Sequence, residues 1–158
     1  MKWDYEFDVV VVGSGNGALT SAICSHDGGA KTLVIEKSNQ YGGTSATSGG
    51  GVWIPNNRYA KAENVDDSDQ DARDYINSVS PEGMIKDELI ETYISEGPKM
   101  IDYLHENSQV KYRNLSHYPD YFPDNPGGKE GNRSMEPEPI NGTILGSDLG
   151  KLREQHPQ

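Results

Sequence analysis

The chain has 158 residues, 33% of them apolar even with nine tyrosines counted, and 25 acidic against 14 basic side chains give a net charge of −11. That length sets an expectation of about one domain, with a core that is thin for its size. The acidity excludes nucleic acid and anionic membrane surfaces as general partners. The single cysteine, Cys24, excludes an internal disulfide framework or a cysteine-rich metal site.

The opening "MKWDYEFD" carries three acids and leads into only four valines. It is neither a signal peptide nor a membrane anchor, so no integral membrane segment is expected and a reducing cytoplasm fits. Residues 8–12, "DVVVV", predict a strand buried on both faces, because β-branched residues occupy every position after the acid. Gly13 to Gly17 form a turn. Leu19, Ala22, Ile23 and His26 then fall at helical spacing before Gly28-Gly29 ends the helix. Cys24, beside Ala22 and Ile23, is expected to be an inert packed thiol. "KTLVIE", 31–36, is the next buried strand, so the run reads as one βαβ unit with a right-handed crossover.

Residues 40–57 are too rich in Gly and Ser for a regular element. Ser68 with Asp71 makes a capping box, and Ala72, Tyr75, Ile76 and Val79 line one helical face behind it. The acids of "DDSDQD" do not make a calcium loop. Counted from Asp67, the required glycine is Ala72 and the closing acid is Ser78, so no metal site is expected. A further helix spans 83–96, with Ile85, Leu89, Ile90, Tyr93 and Ile94 as its stripe. Gly97-Pro98 is expected to break it, with a last helix running to Asn107. "VKYR", 110–113, predicts a short strand. From Asn114 to Gly146 the chain reads as irregular apart from an aromatic knot, "HYPDYF", and "GSDLGKLRE" begins a helix that runs toward the end of the chain. The expected organisation is 1–58, 59–113 and 114–158.

The first glycine cluster carries the clearest chemistry. A bound dinucleotide needs a tight turn after a strand, backbone amides close to its pyrophosphate, and a helix N-terminus aimed at that charge. Gly13, Ser14, Gly15, Asn16, Gly17 and Ala18 sit where those demands fall, with Gly13, Gly15 and Ala18 on the strict motif positions. Glu36, 23 residues after Gly13, ends the second strand and can accept hydrogen bonds from ribose hydroxyls. Glu36 would repel an adenosine 2′-phosphate, with Lys37 a weak counterweight. Between NAD and FAD these residues do not choose.

The second cluster, "YGGTSATSGGGVWIP", adds a resemblance. "VVVVGSGNGALTSA … VIEKSNQYGGTSATSGGGVWIP" resembles the N-terminus of the 3-ketosteroid Δ1-dehydrogenases, within the fumarate reductase and succinate dehydrogenase flavoprotein superfamily. It covers essentially the whole chain, yet those enzymes are several times longer. The resemblance implies an α/β fold, the N-terminal and incomplete part of a Rossmann-like FAD-binding domain. Its second loop would meet FAD through Gly42, Gly43, Thr44, Ser45, Ser48, Gly49 and Gly50. Some relatives anchor FAD through a histidine in that loop. Here no histidine lies between His26 and His105, so the loop itself offers none and non-covalent FAD is expected.

By the same resemblance Tyr121, in "PDYF", would enter the substrate pocket and tune a second tyrosine that removes a proton beside the ketone. The implied activity is flavin-dependent dehydrogenation of a 3-ketosteroid-like ketone at the 1,2 position, with the isolated piece inactive. Alternatives are a Δ4-(5α) steroid dehydrogenase, a fumarate-reductase-like flavoenzyme, or a non-catalytic FAD-binding fragment. Arg113, Arg133 and Arg153 form no recognisable carboxylate clamp, and the acceptor that reoxidises the flavin is not specified by these residues.

Overall fold

A computed structural model of the chain describes residues 2–155. Its contacts gather into two compact units. One holds the residues up to Gly50 together with those from Asn141 onward, and the other runs from Gly51 to Ile140.

In the first unit β1 (Val9–Val12) and β2 (Thr32–Ile35) pair in parallel, Val9 opposite Thr32 and Val12 opposite Ile35. α1 (Asn16–Asp27) connects them and ends where Gly29 turns to φ 88°. The expected βαβ unit is present. The burial expected of its first strand is not: Val11 is buried, but Val10 and Val12 are 53% and 78% exposed. Side chains alternate across a strand, and α1 covers only one face of this two-stranded sheet. Cys24 is likewise exposed and not packed. Ala22 and Ile23 are half-buried, and the next position along the helix rotates away from them.

The segment after Asn141 differs from the expected helix. Asn141 caps a 3₁₀ stretch, Gly142–Lys151, which is interrupted at Gly146 (φ 54°, ψ −128°). Leu152 then forms a parallel bridge with Tyr41. Tyr41 N donates to Lys151 O and Arg153 N donates to Tyr41 O, each at 2.9 Å. The backbone that would have continued a helix is thus committed to a strand-like contact. Residues 156–158 of the expected helix lie outside the described residues.

The second unit is built on an antiparallel sheet of β3 (Val52–Trp53), β5 (Ser134–Pro137) and β4 (Tyr112–Asn114), with β5 in the middle. Two of these strands lie in stretches that read as irregular. Met135, fully buried on β5, packs with Ile54 and Ile101. Asn57, also fully buried, caps the short helix α2 (Arg58–Ala62) by accepting from Tyr59 N and Ala60 N, and donates to Ile54 O and Asn132 O. α3 (Asp69–Val79) starts at the expected cap, with Asp71 N donating to Ser68 Oγ at 3.1 Å and that hydroxyl donating to the Asp71 carboxylate.

α4 is one helix, Asp87–Asn107, that passes through Pro98 unbroken. It starts four residues later than the expected 83, and Ile85, Leu89 and Tyr93 are exposed. The buried stripe is Ile90, Ile94, Gly97, Ile101 and Leu104, which continues in register across the proline. A helix-interior proline costs about 3 kcal/mol, and burial of four large apolar side chains along one face outweighs it. Gly97 is where Ile54 approaches; a Cβ there would meet its Cδ1 at 3.3 Å.

The irregular 114–133 segment is tied down by Arg133, whose side chain is 1% exposed. Its guanidinium pairs bidentately with Asp67, Nε to Oδ2 at 3.1 Å and Nη2 to Oδ1 at 2.7 Å. Nη1 donates to Asp120 Oδ2 at 2.9 Å. Asp120 also accepts from Trp53 Nε1 and Lys129 N, and Asp67 from Asn56 N and Ser68 N. Removing the cation leaves two buried carboxylates facing each other, and a broken buried pair costs about 3–5 kcal/mol. Arg133→Met is therefore expected to lower the unfolding free energy by about that amount in urea titrations. A loss under about 1 kcal/mol would show that the cluster is not the tie it resembles.

Candidate cofactor site

β1 runs out at Gly13, whose N donates to Ile35 O at 2.7 Å and whose φ of 97° turns the chain in a way that favours glycine. The turn places Ser14 in the interior, 3% exposed. Its hydroxyl donates to Glu36 Oε2 at 2.5 Å and accepts from Gly42 N at 2.9 Å. One small side chain thus joins the turn after β1, the acid after β2 and the start of the second glycine loop. Ser38 N donates to the other oxygen, Glu36 Oε1, at 3.0 Å. The Ser14 hydroxyl, followed by the Ser38 amide, holds the Glu36 carboxyl below its ordinary range.

The second loop closes against the first. Ser45 Oγ accepts from Asn16 N at 3.0 Å, at the start of α1. Gly42 has φ 105°, and a Cβ there would sit 2.6 Å from Ala46 Cβ. A Cβ on Gly43 would come to 3.5 Å from the Gly15 Cα, and one on Gly15 to 3.3 Å from Ser45 Oγ. The near neighbour of Gly15 within the protein is thus Ser45. The two glycine loops approach each other at Gly15, Gly43 and Ser45.

Between them lies a cavity of about 640 Å³. Its wall brings together Gly13, Ser14, Gly15, Glu36 and Lys37 with Gly43 and Thr44 of the second loop. Asn16, Gly17 and Ala18 form the first turn of α1 behind this wall, and α1 carries no capping side chain of its own at Gly15. The positive end of the helix dipole is therefore directed at the turn. Gly42 is buried, and the Ser45 hydroxyl is engaged with Asn16. Ser48, Gly49 and Gly50 lie further along, where Ser48 Oγ donates to Ser45 O and accepts from Gly50 N, and they are not on the cavity wall. The wall has one member that the motif could not reveal. Arg153 reaches it through the Tyr41–Leu152 bridge.

Tyr121 lies in the second unit. It is 83% exposed, so it is not packed beneath Tyr118 and Phe122, which are themselves 49% and 58% exposed. With Trp53, Tyr75 and Val79 these rings line an apolar pocket of about 300 Å³. The residue before it, Asp120, is held by Arg133, Trp53 and Lys129, so the backbone at Tyr121 has a fixed anchor. Arg113 is paired with Glu136 on the adjacent strand, and Arg133 is enclosed by two acids. Among the described residues no cluster of acids, histidines and cysteine could hold a metal ion, and no helix is long and apolar enough to cross a membrane.

Residues 8–157 match the family model described as an FAD binding domain. Over 147 residues the chain is 42% identical to a 3-oxosteroid 1-dehydrogenase of Mycobacterium tuberculosis, spanning 93% of this chain and 26% of that protein. It is 39% identical over 143 residues to the 4-oxocyclohexanecarboxylate 2-dehydrogenase of Sinomonas cyclohexanicum, spanning 90% of this chain and 25% of that protein. The crystal structure of the 3-ketosteroid Δ1-dehydrogenase of Sterolibacterium denitrificans, in complex with 1,4-androstadiene-3,17-dione, superposes with a TM-score of 0.88 at 40% identity. The match covers 95% of this chain and 26% of that one. The chain thus spans about a quarter of the length of the relatives it matches.

Because the Glu36 pKa is depressed, its charge persists through mild acid and is lost only below the ordinary carboxylate range. FAD affinity, followed by quenching of flavin fluorescence, is expected to stay constant within about twofold between pH 7 and pH 5. Glu36→Gln is expected to weaken it by about tenfold at both. An affinity that collapses at pH 5 in the unaltered chain would show that the acid is not held ionised.

Proposed function

The chain belongs to the family of FAD binding domains, and from that premise we propose that it is the N-terminal, cofactor-binding part of a dehydrogenase of 3-ketosteroids or similar cyclic ketones. The observation that carries this reading is the paired-glycine cavity closed by Ser14 and edged by Glu36. The residues fit the cofactor: bare amides at a helix N-terminus suit a diphosphate, and an ionised acid suits ribose hydroxyls. Gly13, Ser14, Gly15, Asn16, Gly17 and Ala18 would hold the diphosphate, Glu36 and Lys37 the adenosine side, and Gly42 to Ser45 with Ser48, Gly49 and Gly50 the run toward the flavin. When bound, FAD supplies the acceptor for the hydride that leaves the ring carbon next to the deprotonated one.

Binding is non-covalent in this reading. No histidine is available in the second loop, the residues between His26 and His105 offering none. The phenol of Tyr121 stands exposed on a segment anchored at Asp120, able to hydrogen-bond to another phenol and share its charge. It positions and tunes the base without being that base. The apolar, aromatic lining beside it suits a fused-ring ketone better than a small acid. Arg113 and Arg133, both engaged with carboxylates, also disfavour a carboxylate-bearing substrate. A reducing, cytoplasmic setting belongs to the reading and is supported by the single cysteine.

Two measurements test it. Acid precipitation of the yellow protein is expected to leave all flavin in the supernatant; flavin retained on the peptide overturns non-covalent binding. In the enzyme of full family length, Tyr121→Phe is expected to lower kcat for a 3-ketosteroid by about 10²-fold with an artificial acceptor while FAD stays bound. An unchanged rate removes Tyr121 from the mechanism.

A further inference from the structure

All five arginines of this acidic chain are described, and four of them meet a carboxylate. Arg58 pairs with Asp102 and Glu106, Arg73 with Glu91, Arg113 with Glu136, and Arg133 with Asp67 and Asp120. Acids outnumber bases 25 to 14, so an arginine without one is the exception that needs a reason. Among the described residues Arg153 has no carboxylate within ion-pair distance. Its Nε is buried without a hydrogen-bond partner among the described residues. A buried guanidinium nitrogen left unpaired costs more than an unmade bond at the surface, so such a group calls for an acceptor.

The cavity names the acceptor. Arg153 shares its wall with Gly13, Ser14 and Gly15 on one side and Gly43 and Thr44 on the other. Its backbone is fixed independently of its side chain: Arg153 N donates to Tyr41 O, just before the second glycine loop, and Tyr41 N donates to Lys151 O, two residues before Arg153. The only acid on that wall, Glu36, is already engaged by Ser14 and Ser38. A planar, permanently charged fork facing bare amides is suited to phosphate oxygens, which accept two parallel N–H bonds.

We propose that Arg153 is a diphosphate ligand of this site, delivered to it by the segment that returns after Asn141. The proposal rests on the cofactor reading and adds to it a residue that lies 140 positions beyond the glycine motif's first member. Electrostatics support the same role. A diphosphate diester brings two negative charges beside Glu36, and among the described residues of the cavity wall only Lys37 and Arg153 are cationic. Lys37 follows Glu36 directly and is exposed, so the partly buried guanidinium is the better placed of the two.

The test uses the 158-residue chain with three probes: FAD by fluorescence quenching, ADP by calorimetry, and adenosine by chemical-shift titration. In Arg153→Gln the affinities for FAD and ADP are expected to fall by about tenfold or more, with adenosine unchanged and a shallower salt dependence for ADP. Arg153→Lys is expected to recover part of the loss, and melting curves of both variants report whether the fold is intact. Wild-type affinity for FAD in Arg153→Gln overturns the proposal and leaves the cofactor reading standing. Equal losses for adenosine and ADP also overturn it, since they mark a packing role. A wild-type chain that takes up neither FAD nor ADP overturns the cofactor reading itself.

Discussion

The candidate site depends on a single buried hydroxyl. Ser14 lies inside the glycine motif, at a position the motif leaves free, yet three separate segments converge on its oxygen. It donates to Glu36 and accepts from Gly42, so the turn after β1, the end of β2 and the entry of the second loop share one atom. A hydroxyl is one of the few groups that can donate and accept at once in so small a volume. The shortness of the side chain brings the loops together at Gly15, Gly43 and Ser45, while Gly42 is bare because of its φ and of Ala46 beside it. The bond from Ser14 is the largest of the contacts that hold the Glu36 carboxyl below its ordinary range. Cavity shape and acid charge are therefore one device, built before any cofactor contact is considered.

The second unit is organised by a different constraint, a buried cation with more than its share of anions. Arg133 faces two carboxylates, and its guanidinium also lies over the Trp53 and Tyr75 rings, 5.4 and 5.8 Å from their centroids. The excess negative charge is tolerable because each acid receives backbone or indole N–H donors as well. This explains how a stretch as rich in Pro, Gly and Asn as 114–133 has a defined path without a helix and with only the end of β4 at its start. Its order comes from Asp120, Lys129 and Arg133, a few polar anchors holding the aromatic knot between them.

What was legible in the sequence was local. The valine run, the glycine turn, the helix to Asp27 and the second strand follow from neighbours along the chain, and the Ser68 cap from a spacing of three. Elements made by distant partners were not legible. β5, "SMEP", has no β-branched or aromatic residue and ends in proline, and it is a strand because β3 and β4 flank it. Pro98 reads as a helix stop until Ile54 is seen packing at Gly97. The βαβ pattern was read correctly as strands, but its burial was overstated, because the identity of side chains says nothing about how many neighbours a sheet will have. Within the site, Gly13 to Gly15 and Glu36 were visible as a motif. Ser14 had no visible special role, and Arg153 carried no signal beyond its being an arginine.

A chain with a net charge of −11 is an unexpected host for an anionic ligand, and the resolution lies in distance. At physiological ionic strength exposed charges are screened beyond about 8 Å, so the bulk acidity is scarcely felt at the cavity. The near field decides. It contains the N-terminal end of α1, the amides of two glycine turns, Lys37 and Arg153, against one carboxylate whose lone pairs are partly committed to Ser14 and Ser38. An acid in such a place suits the hydroxyls of a sugar, which a dinucleotide carries at a fixed distance from its diphosphate. A site of this kind discriminates by arrangement and not by total charge. It favours a ligand whose anionic centre and neutral diol are correctly spaced, and it disfavours one that places a phosphate where the diol should be.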